Sequence, residues 1–81
     1  MHDHEQSLTA VIDTIREVSG IAGLDPDLDF YDAGVSSVQA LPILLELETR
    51  FAVSIPDEQF IAARSPRRLH EMILEIKKAS A

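Results

Sequence analysis

Two adjacent serines, Ser36 and Ser37, stand directly before an apolar stretch and could offer a hydroxyl for chemistry. The stretch from Val38 to Phe51 has apolar residues at helical spacing, which places the serines at the N-terminus of a helix. The first backbone amides of a helix have no internal partner and the helix dipole is positive there, so anions are favoured. A phosphate ester on this hydroxyl would therefore be stabilised. Taken alone, the pair is more simply explained as a helix cap.

The predicted helix is apolar on two faces. One face is a core-facing stripe formed by Ala40, Ile43, Leu44, Leu47 and Phe51. A second patch lies roughly opposite and contains Val38, Leu41, Pro42 and Leu45. In so short a chain we expect the second face to be kept for a partner rather than buried. The proline inside the helix predicts a kink near its first turn.

Composition limits what the chain can be. Its 81 residues are 46% hydrophobic, which is enough for a single domain, 1–81, with one core. There is no Cys, so neither disulfides nor a cysteine nucleophile are available. A net charge of −7 argues against nucleic acid as a partner. Without a signal-peptide pattern or a membrane span, we expect a soluble, cytoplasmic, monomeric protein.

Three clusters of charged residues are interpreted as surface features rather than as binding sites. The acidic loop, with Asp25, Asp27, Asp29 and Asp32, lacks the calcium-binding spacing of an EF-hand and is interpreted as solvated. The His2 and His4 pair belongs to a terminus without fixed geometry, so no metal site is expected. A basic spot near the last helix is interpreted as a solvated helix start, with contact to a partner's carboxylate or phosphate kept as an option. It comprises Arg64, Arg67 and Arg68.

The remaining chain predicts three further helices. Ser7 is expected to cap the first after a disordered tail of about residues 1–6, and Gly20 or Gly23 to end it. A long connection follows, which we expect to be ordered through the apolar anchors Ile21, Leu24, Leu28 and Phe30. A short helix begins near Pro56, and a longer one begins at Ser65 and Pro66. The predicted fold class is all-α, with three longer helices and one short helix.

From Phe30 to Phe60 the sequence resembles the acyl carrier protein family. The family shares a Gly, an Asp-Ser-Leu sequence, a helix ending in Leu-Glu-x-x-Phe, and Ile-Pro. The matching positions here are Gly34, Ser37, Val38, Leu47, Glu48, Phe51, Ile55 and Pro56. The four-helix layout covers nearly the whole chain, so the resemblance implies a four-helix bundle of acyl-carrier type.

The resemblance also implies a function. Ser37 would be the serine to which a phosphopantetheinyl transferase attaches the 4′-phosphopantetheine arm of coenzyme A, and the arm's thiol would hold an acyl or aminoacyl thioester. Other expected partners are a loading ligase or synthetase and downstream transferases of fatty-acid-like, polyketide or nonribosomal-type biosynthesis. Carriers present the helix after the serine to their enzymes. The expected contacts are Ser36, Val38, Leu41, Leu45, Glu46 and Glu48.

Two positions depart from the fatty-acid carriers. Ser36 replaces the Asp that usually precedes the serine, and Pro42 occupies a position that is often acidic. Both changes make the helix less acidic and favour free-standing carriers of secondary metabolism or of activated amino acids. The alternative from another class is an unmodified helical interaction module that uses the same apolar patch.

Catalysis by the chain itself is not expected. A hydrolase elbow would need Gly two positions after the serine, where this chain has Gln39. The sequence pattern also places His70 on an exposed face of the last helix, away from the serines. The prediction is a carrier without catalytic residues.

Overall fold

The computed structural model describes residues 3–80 and consists of four helices. They are α1 (Asp3–Ser19), α2 (Ser37–Phe51), α3 (Asp57–Ala62) and α4 (Pro66–Ser80). The helix α1 packs against both α2 and α4. The all-α prediction, with three longer helices and one short helix, is confirmed.

The first helix begins earlier than the sequence predicted. It starts at Asp3, so Ser7 lies inside the helix and is not its N-cap, and residues 3–6 are helical rather than a tail. The expectation for His2 lies outside the described residues. At the other end, Gly20 adopts φ 76° and its amide donates to the Arg16 carbonyl at 2.7 Å, as predicted for a glycine-terminated helix.

The core is built from one face of each helix. Pairs of fully or almost fully buried side chains come from the three longer helices, namely Val11 and Ile15, Ile43 and Leu47, and Leu69 and Ile73. Phe60 of α3 and Ile55 of the preceding link close the core. The predicted stripe of α2 is confirmed, with Ala40 and Phe51 partly buried against it.

The connection between α1 and α2 is ordered, but one of its predicted anchors is wrong. Phe30 is buried, and Ile21 and Leu24 pack partly buried against the core. Leu28 lies in a turn, where its amide donates to the Asp25 carbonyl at 3.3 Å, and it is 63% exposed. The pattern missed Val35, which is 3% exposed and anchors the chain just before the serines.

Two of the three arginines of the basic spot, Arg64 and Arg67, hold this connection in place, whereas Arg68 is exposed as a solvated helix start would be. Arg64 Nε pairs with Asp29 Oδ2 at 2.6 Å, and Arg67 Nε pairs with Asp27 Oδ1 at 2.5 Å. Two backbone hydrogen bonds of 2.9 Å run beside them, from Phe30 N to the Arg64 carbonyl and from Arg67 N to the Pro26 carbonyl. We call these four contacts the loop clasp. The acidic loop is therefore only partly solvated.

The prediction for His70 is also wrong. It is 4% exposed, not on an exposed face. His70 lies four positions after Pro66 and three before Ile73, which are both buried, so helical spacing places it on the core-facing side of α4. The core-facing stripe of α4 therefore includes one polar side chain.

Candidate functional site

Ser36 is the N-cap of α2 and closes a capping box with Gln39. Its backbone is extended, with φ −90° and ψ 162°, and its hydroxyl accepts a hydrogen bond from Gln39 N at 3.3 Å. In return Ser36 N donates to Gln39 Oε1 at 3.1 Å. This reciprocal pair satisfies two backbone amides that the helix geometry leaves open. The cap is thus assigned to Ser36, which leaves the hydroxyl of Ser37 for another role.

Ser37 is the first residue of α2 and is exposed. Within residues 3–80, the backbone amides of Ser37 and Val38 donate no hydrogen bond, because the cap reaches only Gln39. The first turn of α2 contains no acidic residue. Two available amides at the positive end of a 15-residue helix suit an anion attached to this hydroxyl.

The chain reaches Ser37 through a fixed turn. Gly34 adopts φ 120°, and a Cβ at this position would come within 3.2 Å of the Ile21 side chain. Val35 N then donates to the Phe30 carbonyl at 3.0 Å, and its side chain is buried. An anchored Val35 followed by exposed serines places the hydroxyls at the surface.

A groove lies beside Ser37 between α2 and α3, with a volume of about 530 Å³. Its lining is mainly apolar and comes from Ala40, Leu41, Leu44, Phe60 and Ile61. The polar residues of the lining are Tyr31, Ser37, Asp57 and Arg64. The groove could receive a small apolar group tethered at the serine.

Arg64 contacts two of its neighbours at the polar part of the groove, Tyr31 and Asp29. The guanidinium of Arg64 lies 4.7 Å from the Tyr31 ring centroid, which is a cation–π contact. Its hydrogen bond to the Asp29 carboxylate lowers the pKa of Asp29. Burial raises the pKa of the Tyr31 hydroxyl.

The apolar residues predicted for partner contact share one exposed surface. Val38 is 82% exposed, Leu41 59% and Leu45 53%. We call these three residues the α2 apolar face. Ile61, which the sequence analysis did not single out, is 62% exposed and shares the groove with Leu41.

The two predicted acids on α2 are not equivalent. Glu46 Oε2 pairs with Arg50 Nε at 3.2 Å, and both side chains remain partly exposed. Glu48 is only partly exposed, and its Oε2 accepts a hydrogen bond from Ile55 N at 2.8 Å. Glu48 therefore holds the link between α2 and α3, and Glu46 is the better placed of the two to meet a partner.

Neither metal binding nor membrane crossing finds support in the described part of the chain. Across residues 3–80, no group of His, Asp and Glu side chains could hold a metal ion. No helix within that range is both long and apolar enough to cross a membrane.

Comparison with known proteins places this geometry in a family. Residues 9–73 match the family described as "Phosphopantetheine attachment site". The chain therefore belongs to the phosphopantetheine-bearing carrier domains, which are non-catalytic and carry 4′-phosphopantetheine. The resemblance seen in the sequence is confirmed. No curated protein matches the chain.

Two similar solved structures come from Streptomyces coelicolor. The acetyl actinorhodin acyl carrier protein has a TM-score of 0.72 and 29% identity, over 91% of this chain and 93% of that one. The hexanoyl acyl carrier protein of the actinorhodin polyketide synthase, a non-natural intermediate, has a TM-score of 0.70 and 29% identity, over 95% and 92% of the two chains. The fold is therefore that of an acyl carrier protein.

Proposed function

We propose that Ser37 is the attachment residue and that the chain carries an acyl group as a thioester between enzymes. The observation that carries the proposal is the exposed Ser37 hydroxyl at the start of α2, with cap duty taken by Ser36. The chain has no Cys, and the attached arm would supply the thiol that a thioester needs. The available amides of Ser37 and Val38 suit the phosphodiester formed there.

Attachment is a substitution at phosphorus that a phosphopantetheinyl transferase would catalyse. The Ser37 oxygen loses its proton and forms a bond to the pantetheine-bearing phosphorus of coenzyme A. The pyrophosphate bond breaks, and adenosine bisphosphate leaves with the electron pair. The part of this chain is to hold the hydroxyl at the surface on a fixed helix start.

An acyl cargo of the polyketide or fatty-acid type fits better than an aminoacyl cargo. The groove beside Ser37 has a mainly apolar lining. The two similar structures are acetyl and hexanoyl forms of a polyketide synthase carrier. A short acyl chain on the arm could fold back into this groove.

The α2 apolar face is the proposed contact surface for the transferase and for loading and acceptor enzymes. Ser36 lies beside this face and Glu46 lies at its rim. A protein-binding site usually has apolar side chains at its centre and charged side chains at its rim. Glu48, which we expected to act with Glu46, contributes mainly by holding Ile55.

Intact mass spectrometry tests the attachment residue. The wild-type chain is incubated with a phosphopantetheinyl transferase and coenzyme A, beside Ser37→Ala and the matched control Ser36→Ala. We expect the mass of one arm on the wild type and on the control, and none on Ser37→Ala. Ser37→Ala should keep its fold because the cap remains, whereas Ser36→Ala should lose about 1 kcal/mol of unfolding free energy.

Two results would overturn the assignment. An arm on Ser37→Ala but not on Ser36→Ala would move the site to Ser36. An unmodified wild type, under conditions where a known carrier is modified, would favour the helical interaction module instead.

A further inference from the structure

Gln39 connects the start of α2 to the end of α1. Its Nε2 donates a hydrogen bond to the Ser19 carbonyl at 3.3 Å, while its Oε1 accepts from Ser36 N at 3.1 Å. Only this orientation of the amide satisfies both neighbours, because Ser36 offers a donor and Ser19 an acceptor. One side chain thus joins the N-cap to a residue 20 positions earlier.

The Ser19 carbonyl is a firm point of attachment. It belongs to the last turn of α1, where carbonyl groups have no partner within the helix. The Ser19 hydroxyl donates to the Ile15 carbonyl at 2.6 Å and accepts from Ile21 N at 3.2 Å. The amide of Gly20 bonds to the Arg16 carbonyl. Gln39 therefore ties α2 to a helix end whose geometry is already fixed.

We propose that Gln39 is a positioning residue for modification of Ser37, acting through this tie to Ser19. The proposal rests on the proposed function of Ser37. A capping box alone fixes the first turn of α2 relative to its own helix, but the tie fixes that turn relative to the rest of the domain. The Ser37 hydroxyl lies between the two residues of the box and shares that fixed position. A transfer reaction depends on such placement of the attacking atom.

Two substitutions separate the cap from the tie. Gln39→Glu keeps an oxygen that can accept from Ser36 N, as in the usual capping box, but it loses the amide donor to Ser19. Gln39→Met keeps the approximate length, adds no charge and loses both interactions, so it shows whether a fall in Gln39→Glu comes from the new carboxylate. The matched control is Thr14→Val, which removes another hydrogen bond between α1 and α2, from Arg50 Nη1 at 3.2 Å, at the far end of α2.

The measurement is the steady-state rate of pantetheinylation with coenzyme A, at a temperature where all variants are folded by circular dichroism. For Gln39→Glu and Gln39→Met we expect kcat/KM to fall about three- to tenfold, the range that one hydrogen bond of ordinary strength corresponds to. The fall should lie in kcat, because the α2 apolar face that docks the transferase is unchanged. Thr14→Val should react at the wild-type rate.

A wild-type rate for Gln39→Glu or for Gln39→Met would overturn the proposal, since both variants lack the donor to Ser19. An equal fall for Thr14→Val would also overturn it, because the effect would then be general loosening of the α1–α2 contact. Failure of the wild type to be modified at all would instead contradict the proposed function of Ser37.

Discussion

Leu45 and Leu47 lie two positions apart on α2 and serve different purposes. Leu47 is 0% exposed within the core, whereas Leu45 is 53% exposed on the α2 apolar face. We expect Leu47→Ala to lower the unfolding free energy by about 2–5 kcal/mol, through lost burial and the cavity left behind. We expect Leu45→Ala to change it by less than about 0.5 kcal/mol.

In binding to the transferase, we expect the substitution at Leu45 to have the larger effect. Leu45→Ala should weaken the complex with the transferase by about 1–3 kcal/mol, as truncation of an apolar anchor does. Denaturant melts measure the first effect and calorimetric titration the second. A large loss of stability in Leu45→Ala would place that side chain in the core, and unchanged affinity would remove it from the partner surface.

Residue-level prediction from the sequence succeeded where the signal is local. The core stripe of α2 and the serine cap depend on spacing and on bonds within four residues, so the pattern contains them. The partners of Arg64 and Arg67 lie 35 and 40 positions away, and nothing in their local sequence identifies them. The tie of Gln39 to Ser19 depends on a similarly distant contact, 20 positions along the chain.

Among the helix ends, that of α2 has an unusual C-cap. Ala52 adopts the left-handed conformation, with φ 56° and ψ 48°, a conformation that glycine adopts at less cost. We expect Ala52→Gly to raise the unfolding free energy by about 1 kcal/mol, because the steric cost of the Cβ disappears. Ala10→Gly inside α1 is the control and should lower it by about 0.5–1 kcal/mol. Thermal melts compare the two. A destabilised Ala52→Gly would contradict the assigned cap conformation.

The sequence predicted some helix ends and missed others. Three helix ends were predicted because a residue type that is common at helix ends stands there, namely Gly20, Ser36 and Pro66. The start of α1 at Asp3 was missed because Ser7 offered a stronger cap signal than the residues before it. The left-handed cap at Ala52 has no such signature. The kink expected at Pro42 stays a prediction, since α2 continues through that position.

The loop clasp joins distant parts of the molecule and should make stability depend on pH. Hydrogen bonds from Arg67 and Arg64 lower the pKa values of Asp27 and Asp29 respectively. A carboxyl whose pKa is lower in the folded state contributes stability above its ordinary pKa, which is about 4 for aspartate. That contribution is lost as the pH falls from there through the lowered values.

The double variant Arg64→Gln and Arg67→Gln should therefore be less stable at neutral pH and should lose less stability on acidification. Arg68→Gln is the matched control, because Arg68 forms no ion pair among residues 3–80. Urea melts from pH 7 to pH 3 measure the effect. An unchanged acid response in the double variant would show that the two ion pairs of the clasp do not contribute to stability.

The absence of cysteine allows the central claim to be tested by counting thiols. The purified chain is titrated with a thiol reagent before and after incubation with a phosphopantetheinyl transferase and coenzyme A, and removal of free coenzyme A. We expect no reactive thiol before incubation and one per chain afterwards, with none at either stage in Ser37→Ala. No thiol on the treated wild type, or one on treated Ser37→Ala, would contradict the claim that Ser37 carries the arm.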